Sequence, residues 1–311
     1  MNPYVVAILC VIAVSIVCMR RRRTYKVVQM ITSVQGLEKE VKKINAEKIR
    51  VPRNPGKISP PKPMYERKQY TYPYDQHDTF YYDVLKTDKT NKDTAFVLVC
   101  FMGGHSKSAC IRRAAQRFSD DGYPVYILIP RGMQGLKLDP AQKKFRSEGY
   151  DTEDLNTLVN ELIPEKSVII SGYSLGGFTL GHYLTSKTSD VSKVKKAIFC
   201  FVEHDPSNTV RMPLRARKLL ATQSIKYVRE NIPYFLAHGV TQEELDDIFR
   251  VGTVDHYDQL IWCKRHNIKS VYDYYDMVSL VKRIPQFSVP SLFFNVADDQ
   301  IAGKYFPLAG F

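Results

Sequence analysis

Apolar positions along the chain fall into short dense runs separated by stretches of helical spacing. The runs are AFVLVCFM at 95–102, PVYILIP at 124–130, SVIIS at 167–171, KKAIFCFVE at 195–203 and PSLFFNVA at 290–297. Runs of this length, rich in branched and aromatic side chains, predict strands buried on both faces. Between them the period changes. Cys110, Ala114, Ala115 and Phe118 share one side of a helix, and Leu155, Leu158, Val159 and Leu162 recur at i, i+3, i+4 and i+7 within 151–163. Acidic residues crowd the first turn of that second helix, where the helix dipole favours them. Strands alternating with helices predict an α/β domain with a mostly parallel central sheet and helices on both faces. From 204 to 285 the alternation stops, and patterns such as TQEELDDIF (241–249) and VYDYYDMVSLVKRI (271–284) are helical. Two roles fit an insertion of that kind: a cap over an active site, or ordinary packing helices.

The N-terminus departs from this pattern. Residues 3–19 are apolar and carry no charge, and Arg20, Arg21, Arg22 and Arg23 follow directly. Seventeen residues is at the short end for a membrane span. A cleaved leader would carry its basic residues before the apolar run, so an uncleaved anchor over 1–23 is expected. The arginine block places it with the body on the cytosolic side, on the endoplasmic reticulum or another membrane. Residues 24–64 are expected to hold a juxtamembrane helix, with Leu37, Val41 and Ile44 at helical spacing, and then a linker, since VPRNPGKISPPKP (51–63) carries five prolines. The globular domain is expected over 65–311.

The net charge of +13 changes little in this picture. Residues 1–68 hold 15 Lys/Arg against 4 Asp/Glu, whereas 69–311 hold 30 against 28. A basic cluster beside an apolar segment favours an anionic lipid surface, and no nucleic-acid motif accompanies it. Cys10, Cys18, Cys100, Cys110, Cys200 and Cys263 show no CxxC and no metal-ligand spacing; neither a disulfide framework nor a metal site is expected.

Candidate chemistry centres on Gly172-Tyr173-Ser174-Leu175-Gly176, a G-x-S-x-G motif between the SVIIS strand and the GFTLGHYLTSK helix. That strand–turn–helix setting is a nucleophile elbow. Gly172 and Gly176 leave room for the turn, and Ser174 sits at a helix N-terminus that favours developing negative charge. One oxyanion donor is expected at the Leu175 N–H, and a second near Met102 in FMGGHSKS (101–108), where Gly103 and Gly104 allow close approach. The acid of a Ser–Asp–His order is expected after a later strand. Asp298 and Asp299 both qualify, and Asp299 is preferred. No base is assigned. His77, His105, His182, His204, His238, His256 and His266 all precede Asp299; His105 lies near the oxyanion loop, and His182 is eight residues into the helix after Ser174.

Taken together these residues resemble the α/β-hydrolase-domain proteins, in particular the AB hydrolase 4 family of membrane-anchored lipases and esterases. The resemblance spans about 65–305 and rests on GYPVYILIPRGMQG (122–135), YDTEDLNTLVNEL (150–162), SGYSLGG, the VYDYYDMVSLVKRI stretch and NVADDQ. It implies hydrolysis of carboxylic esters of lipids, acylglycerols or phospholipids, through an acyl-serine and without a cofactor. Ser174 and Asp299 match the family's nucleophile and acid, and Met102 and Leu175 its oxyanion positions. Two departures stand out. Phe101 occupies a position where the family usually has glycine. The resemblance also implies one more strand, a histidine and a last helix beyond Asp299, so a shortened form is expected, with the 290–297 strand left as a bare edge. Without that histidine the alternative is an inactive, membrane-anchored binding protein for lipid or protein. An acyltransferase would share the same acyl-serine.

Overall fold

The computed structural model describes residues 25–32, 50–52, 64–87, 93–146 and 151–296. Its centre is a sheet whose strands are β1 (Tyr25–Thr32), β2 (Arg50–Pro52), β3 (Glu66–Thr71), β4 (Thr79–Leu85), β5 (Thr94–Val99), β6 (Val125–Ile129), β7 (Ser167–Tyr173), β8 (Val194–Cys200) and β9 (Ser291–Val296), in the order β2-β1-β9-β8-β7-β5-β6-β4-β3. The five dense apolar runs became β5 to β9, which pair in parallel. β7 is buried along its whole length, as expected of a strand covered on both faces. Antiparallel strands flank this parallel centre.

Side chains alternate between two cores along each strand, because a strand has a period of two. Phe96 and Leu98 of β5 face α1 (Ala109–Asp120), which contributes Ile111, Ala114, Ala115 and Phe118. Val97 and Val99 face the opposite layer. That layer contains α2 (Glu153–Thr157), which continues as a π-helical turn over Leu158–Leu162, and α3 (Leu175–Thr185). The α/β architecture with helices on both faces is therefore as expected.

The bare edge expected at β9 is not found. β1 pairs antiparallel with it, from Val28 opposite Val296 to Thr32 opposite Leu292, and β2 extends the sheet by pairing with β1. The segment expected to hold only a juxtamembrane helix and linker thus supplies two strands. Residues 33–49, which include most of the expected helix, lie outside the described residues, as do the apolar segment 3–19 and the arginine block. Among the described residues no helix is long and apolar enough to cross a membrane.

The 204–285 insertion is helical, with a 3-10 turn at Pro206–Arg211 followed by α4 (Leu214–Glu230), α5 (Ile232–Ala237), α6 (Gln242–Val251), α7 (Val254–Asp258) and α8 (Val271–Val278). α6 starts in a capping box between Thr241 and Glu244 and ends at Gly252, whose φ of 66° suits a residue without Cβ. α8 ends sooner than its periodicity suggests. Ser279 leaves the helix so that its hydroxyl and the Leu280 N–H donate to the His204 carbonyl at 3.1 and 3.0 Å. The insertion builds its own core from Tyr227, Tyr234, Phe235, Ile261 and Trp262, onto which Met133 and Leu138 from the sheet's loops also pack.

Two buried histidines and one buried carboxyl make stability depend on pH. Burial lowers His182 to about 4, although its Nε2 lies 3.0 Å from the Val278 carbonyl, and burial lowers His204 to about 4 as well. Burial raises Asp258 to about 7 against the hydroxyl of Tyr275, which donates to it at 2.7 Å. Between pH 4 and 6.5 each histidine binds a proton in the unfolded chain but not in the folded one. Asp258 does the reverse between 3.8 and 7. The histidines make stability fall on acidification and Asp258 opposes them. Asp258→Asn should steepen the loss of stability on acidification, read as a larger fall of the urea midpoint between pH 6 and pH 4.5.

Candidate active site

The turn after β7 has the geometry that the glycine pattern implies. Ser174 has φ 49° and ψ −115°, a conformation that L-residues rarely adopt, and its side chain is exposed at the N-terminus of α3. Such strain persists only where the surroundings enforce it, and the surroundings are tight. A Cβ at Gly172 would lie 2.6 Å from the Gly176 carbonyl oxygen, and one at Gly176 would lie 2.3 Å from that of Val99. A Cβ at Gly177 would meet Val202 at 2.1 Å. The backbone is further fixed by Ser174 N–H donating to the Cys200 carbonyl at 2.9 Å and Gly177 N–H donating to the Ser174 carbonyl at 2.8 Å. Gly176→Ala should therefore cost about 1–3 kcal/mol by overpacking and displace the elbow, read as a lower melting temperature together with slower labelling of Ser174.

The loop after β5 approaches the same point. Gly103 has φ 71°, and Gly104 N–H donates to the Phe101 carbonyl at 2.7 Å. Phe101 takes the place of the family's glycine without blocking this turn: its ring packs on the α1-side core and against Gly104, where a Cβ would lie 2.9 Å from it. Among the described residues neither the Met102 nor the Leu175 N–H donates to a backbone carbonyl. Leu175 begins a helix, so its N–H has no intrahelical acceptor and is open to a ligand.

The helical insertion closes over this loop through α4. The Gln223 carboxamide oxygen would lie 2.4 Å from a Cβ at Gly103, and Ser224 Oγ donates to Met102 Sδ at 3.1 Å. The Tyr227 ring covers Gly132. Of the two roles open to the insertion, the packing fits a cap. A cavity of about 60 Å³ beside the elbow is lined by Leu175, Thr179, Tyr227, Arg131 and Asp154. That volume accommodates a few water molecules but not an acyl chain.

Two sequence fragments singled out by the resemblance meet here. Arg131, from the arginine–glycine turn, donates bidentately to Asp154, from the TEDL helix start, at 2.6 and 2.7 Å. Arg131 also meets Asp78 at 2.6 Å, and the Tyr72 hydroxyl donates to Asp154 at 2.9 Å. Arg146, whose side chain is 1% exposed, bonds Asp78, Asp151 and Glu153. Burial alone would raise Glu153, but hydrogen bonds from Lys144 and Tyr74 and the charge of Arg146 outweigh it and bring Glu153 to about 2. This network fixes the loop after β6 and the start of α2 beside the elbow.

No described histidine is hydrogen-bonded to Ser174. His105 Nδ1 accepts from the Lys107 N–H at 3.1 Å, and burial together with the charges of Lys107 and Lys226 lowers its pKa. His77 pairs with Asp139 and His256 with Asp247, both at 2.7 Å. His238 is held between the carbonyls of Tyr234 and Gln142. His204 packs against Phe293, and His266 stacks on Trp262. Asp298 and Asp299 lie outside the described residues. Sequence reasoning missed Gly177, Gln223, Ser224 and Tyr227. The second glycine after the motif was a legible signal for the first, whereas nothing marks the cap residues before the fold is known.

Against known proteins, the family model Hydrolase_4, described as serine aminopeptidase, S33, matches residues 92–304. The chain is 23% identical to protein abhd-3.2 of Caenorhabditis elegans over 63% of this chain and 53% of that protein. It is 21% identical to monoacylglycerol lipase ABHD2 of Danio rerio over 79% of this chain and 60% of the lipase. The chain thus spans about half to three-fifths of the length of these two relatives. Among solved structures, a soluble variant of monoglyceride lipase from Saccharomyces cerevisiae aligns at 20% identity with a TM-score of 0.38, covering 54% of this chain and 53% of the lipase. The family model takes in the loop after β5, the elbow, the helical insertion and β9, and the chain belongs to the Hydrolase_4 family of α/β-hydrolases.

Proposed function

We propose that this chain is a serine hydrolase that cleaves carboxylic esters of lipids, acylglycerols or phospholipids, through an acyl-serine on Ser174. The observation that carries the reading is the strained, exposed Ser174 at the start of α3, followed by the Leu175 N–H, which lacks a backbone acceptor among the described residues. Relatives named monoacylglycerol lipase support a lipid substrate. In the reaction Ser174 Oγ bonds to the ester carbonyl carbon as its proton passes to a base. The carbonyl electron pair moves onto oxygen, which the Met102 and Leu175 N–H groups stabilise. Collapse breaks the C–O bond to the alcohol, which takes the proton, and water then releases the fatty acid from Ser174 by the same steps. Asp299 would orient the base, which the family resemblance assigns to a histidine beyond it. Residues 3–19 would hold the enzyme at a membrane, where its substrate dissolves, with the body in the cytosol.

A second reading has one specific observation in its favour: no described histidine bonds Ser174. The chain would then bind lipid esters without cleaving them. Both readings are tested by incubating the full chain with a monoacylglycerol in mixed micelles and measuring free fatty acid. Release that Ser174→Ala abolishes supports hydrolysis. Binding without release supports the second reading.

A further inference from the structure

The α1 face of the sheet gathers buried hydrogen-bond donors that have no acceptor among the described residues. Arg67 of β3 lies opposite Asp83 of β4 and donates to both carboxylate oxygens, at 2.7 and 2.9 Å. Arg67 Nη2 also donates to the Gln134 side-chain oxygen at 2.8 Å. Gln134 Nε2 is left buried with no acceptor, and the Tyr65 hydroxyl and Arg112 Nε are buried without one as well. Arg67 and Asp83 tie the three together. Tyr65 packs on the same core as Phe101 and Leu136. Burial raises its hydroxyl, the Arg112 charge opposes that rise and the Asp83 charge adds to it, so the guanidinium and the carboxylate both stand near it.

The charges here do not cancel. Arg67 compensates Asp83, whereas Arg112 of α1 has no ion-pair partner among the described residues. Lys107, Lys226, Arg67 and Arg112 all add to the burial that lowers His105 in the adjoining loop. The backbone is strained at the same place. Gln134 has φ 58°, between Gly132 at 68° and Gly135 at 76°. A residue with a Cβ adopts that conformation at a cost, and such strain gathers at ligand clamps.

Buried donors without acceptors are costly in a folded protein. One ordered water offers two lone pairs, which is too few for three donors, and it leaves the Arg112 charge uncompensated. A carboxylate offers about four lone-pair sites and a single negative charge, and it matches a guanidinium in shape. We infer that Tyr65, Arg112 and Gln134 form a binding site for a carboxylate anion, entered from the surface past Arg67, whose side chain is 35% exposed. The site uses none of the residues proposed for catalysis and is read as binding, so it stands or falls apart from the hydrolase reading. Its ligand is either a small free acid or the head of a fatty acid, which differ in the apolar tail.

The test is thermal unfolding of the full chain at pH 7 in millimolar acetate, octanoate or phosphate, each against chloride at equal ionic strength. Acetate is expected to raise the melting temperature of the wild type in a saturable way. Arg112→Gln and Tyr65→Phe should each weaken that effect about tenfold or more. In chloride alone Tyr65→Phe should melt no lower than the wild type, because it removes a donor that has no partner. Tighter binding of octanoate than acetate, lost in the same variants, identifies a fatty acid as the ligand; equal or weaker binding identifies a small acid. No saturable rise, an equal rise in all three proteins, a preference for phosphate, or a Tyr65→Phe chain that is destabilised in chloride would each overturn the proposal.

Discussion

Ser174→Ala should lower lipid-ester hydrolysis by about 10⁴-fold or more while leaving thermal unfolding almost unchanged. The hydroxyl is exposed and makes no capping bond to α3, so its loss removes no packing. The strain at φ 49° and ψ −115° is held by Gly172, Gly176 and Gly177, which lie against backbone and Val202. Alanine inherits that strain. Glycine does not, and Ser174→Gly should raise stability by about 1 kcal/mol or more while being equally inactive. A pair of variants alike in activity and separated in melting temperature would show that the elbow holds its serine at a cost in stability. Hydrolysis and differential scanning calorimetry on the same preparations check both halves.

Asp154→Ala should destabilise the fold by about 3–5 kcal/mol. Breaking a buried ion pair costs more than the pair contributes, because the remaining charge is left without compensation. Arg131, with its side chain 9% exposed, would lose a bidentate acceptor, and the Tyr72 hydroxyl would lose its 2.9 Å acceptor and keep only Thr157 at 3.5 Å. Asp78 still meets Arg131 at 2.6 Å, but it is shared with Arg146 and cannot replace both bonds. Asp154→Asn keeps the shape and one acceptor oxygen and should fall between the wild type and Asp154→Ala. Urea unfolding at pH 7 checks the order. Because the network lines the cavity beside Leu175, the alanine variant should also show faster amide exchange at the start of α3.

Particular residues show what was legible before the fold and what was not. β5 to β9 were readable because a strand buried on both faces has no alternative to an unbroken apolar run. β3 was not: its sequence ERKQYT is an edge strand with mostly exposed or half-buried charged and polar side chains, which suit an edge and give no periodic signal. β1 stood in a segment marked by its basic flank, and its pairing with β9 depends on contacts nearly the full chain apart. The elbow was readable in detail because its glycines are required by backbone contacts at fixed short spacing. Arg131 and Asp154 were visible only as pieces of two separate motifs, since an ion pair across 23 residues has no local pattern. Gln223, Ser224 and Tyr227 were invisible, as their role comes from where the cap lands.

The most direct test of the central claim is intact-protein mass spectrometry of the full chain after reaction with a fluorophosphonate, followed by peptide mapping. One phosphonyl adduct, on Ser174 and absent from Ser174→Ala, is the predicted result. No adduct, or an adduct on another residue, would contradict the assignment of Ser174 as an activated nucleophile.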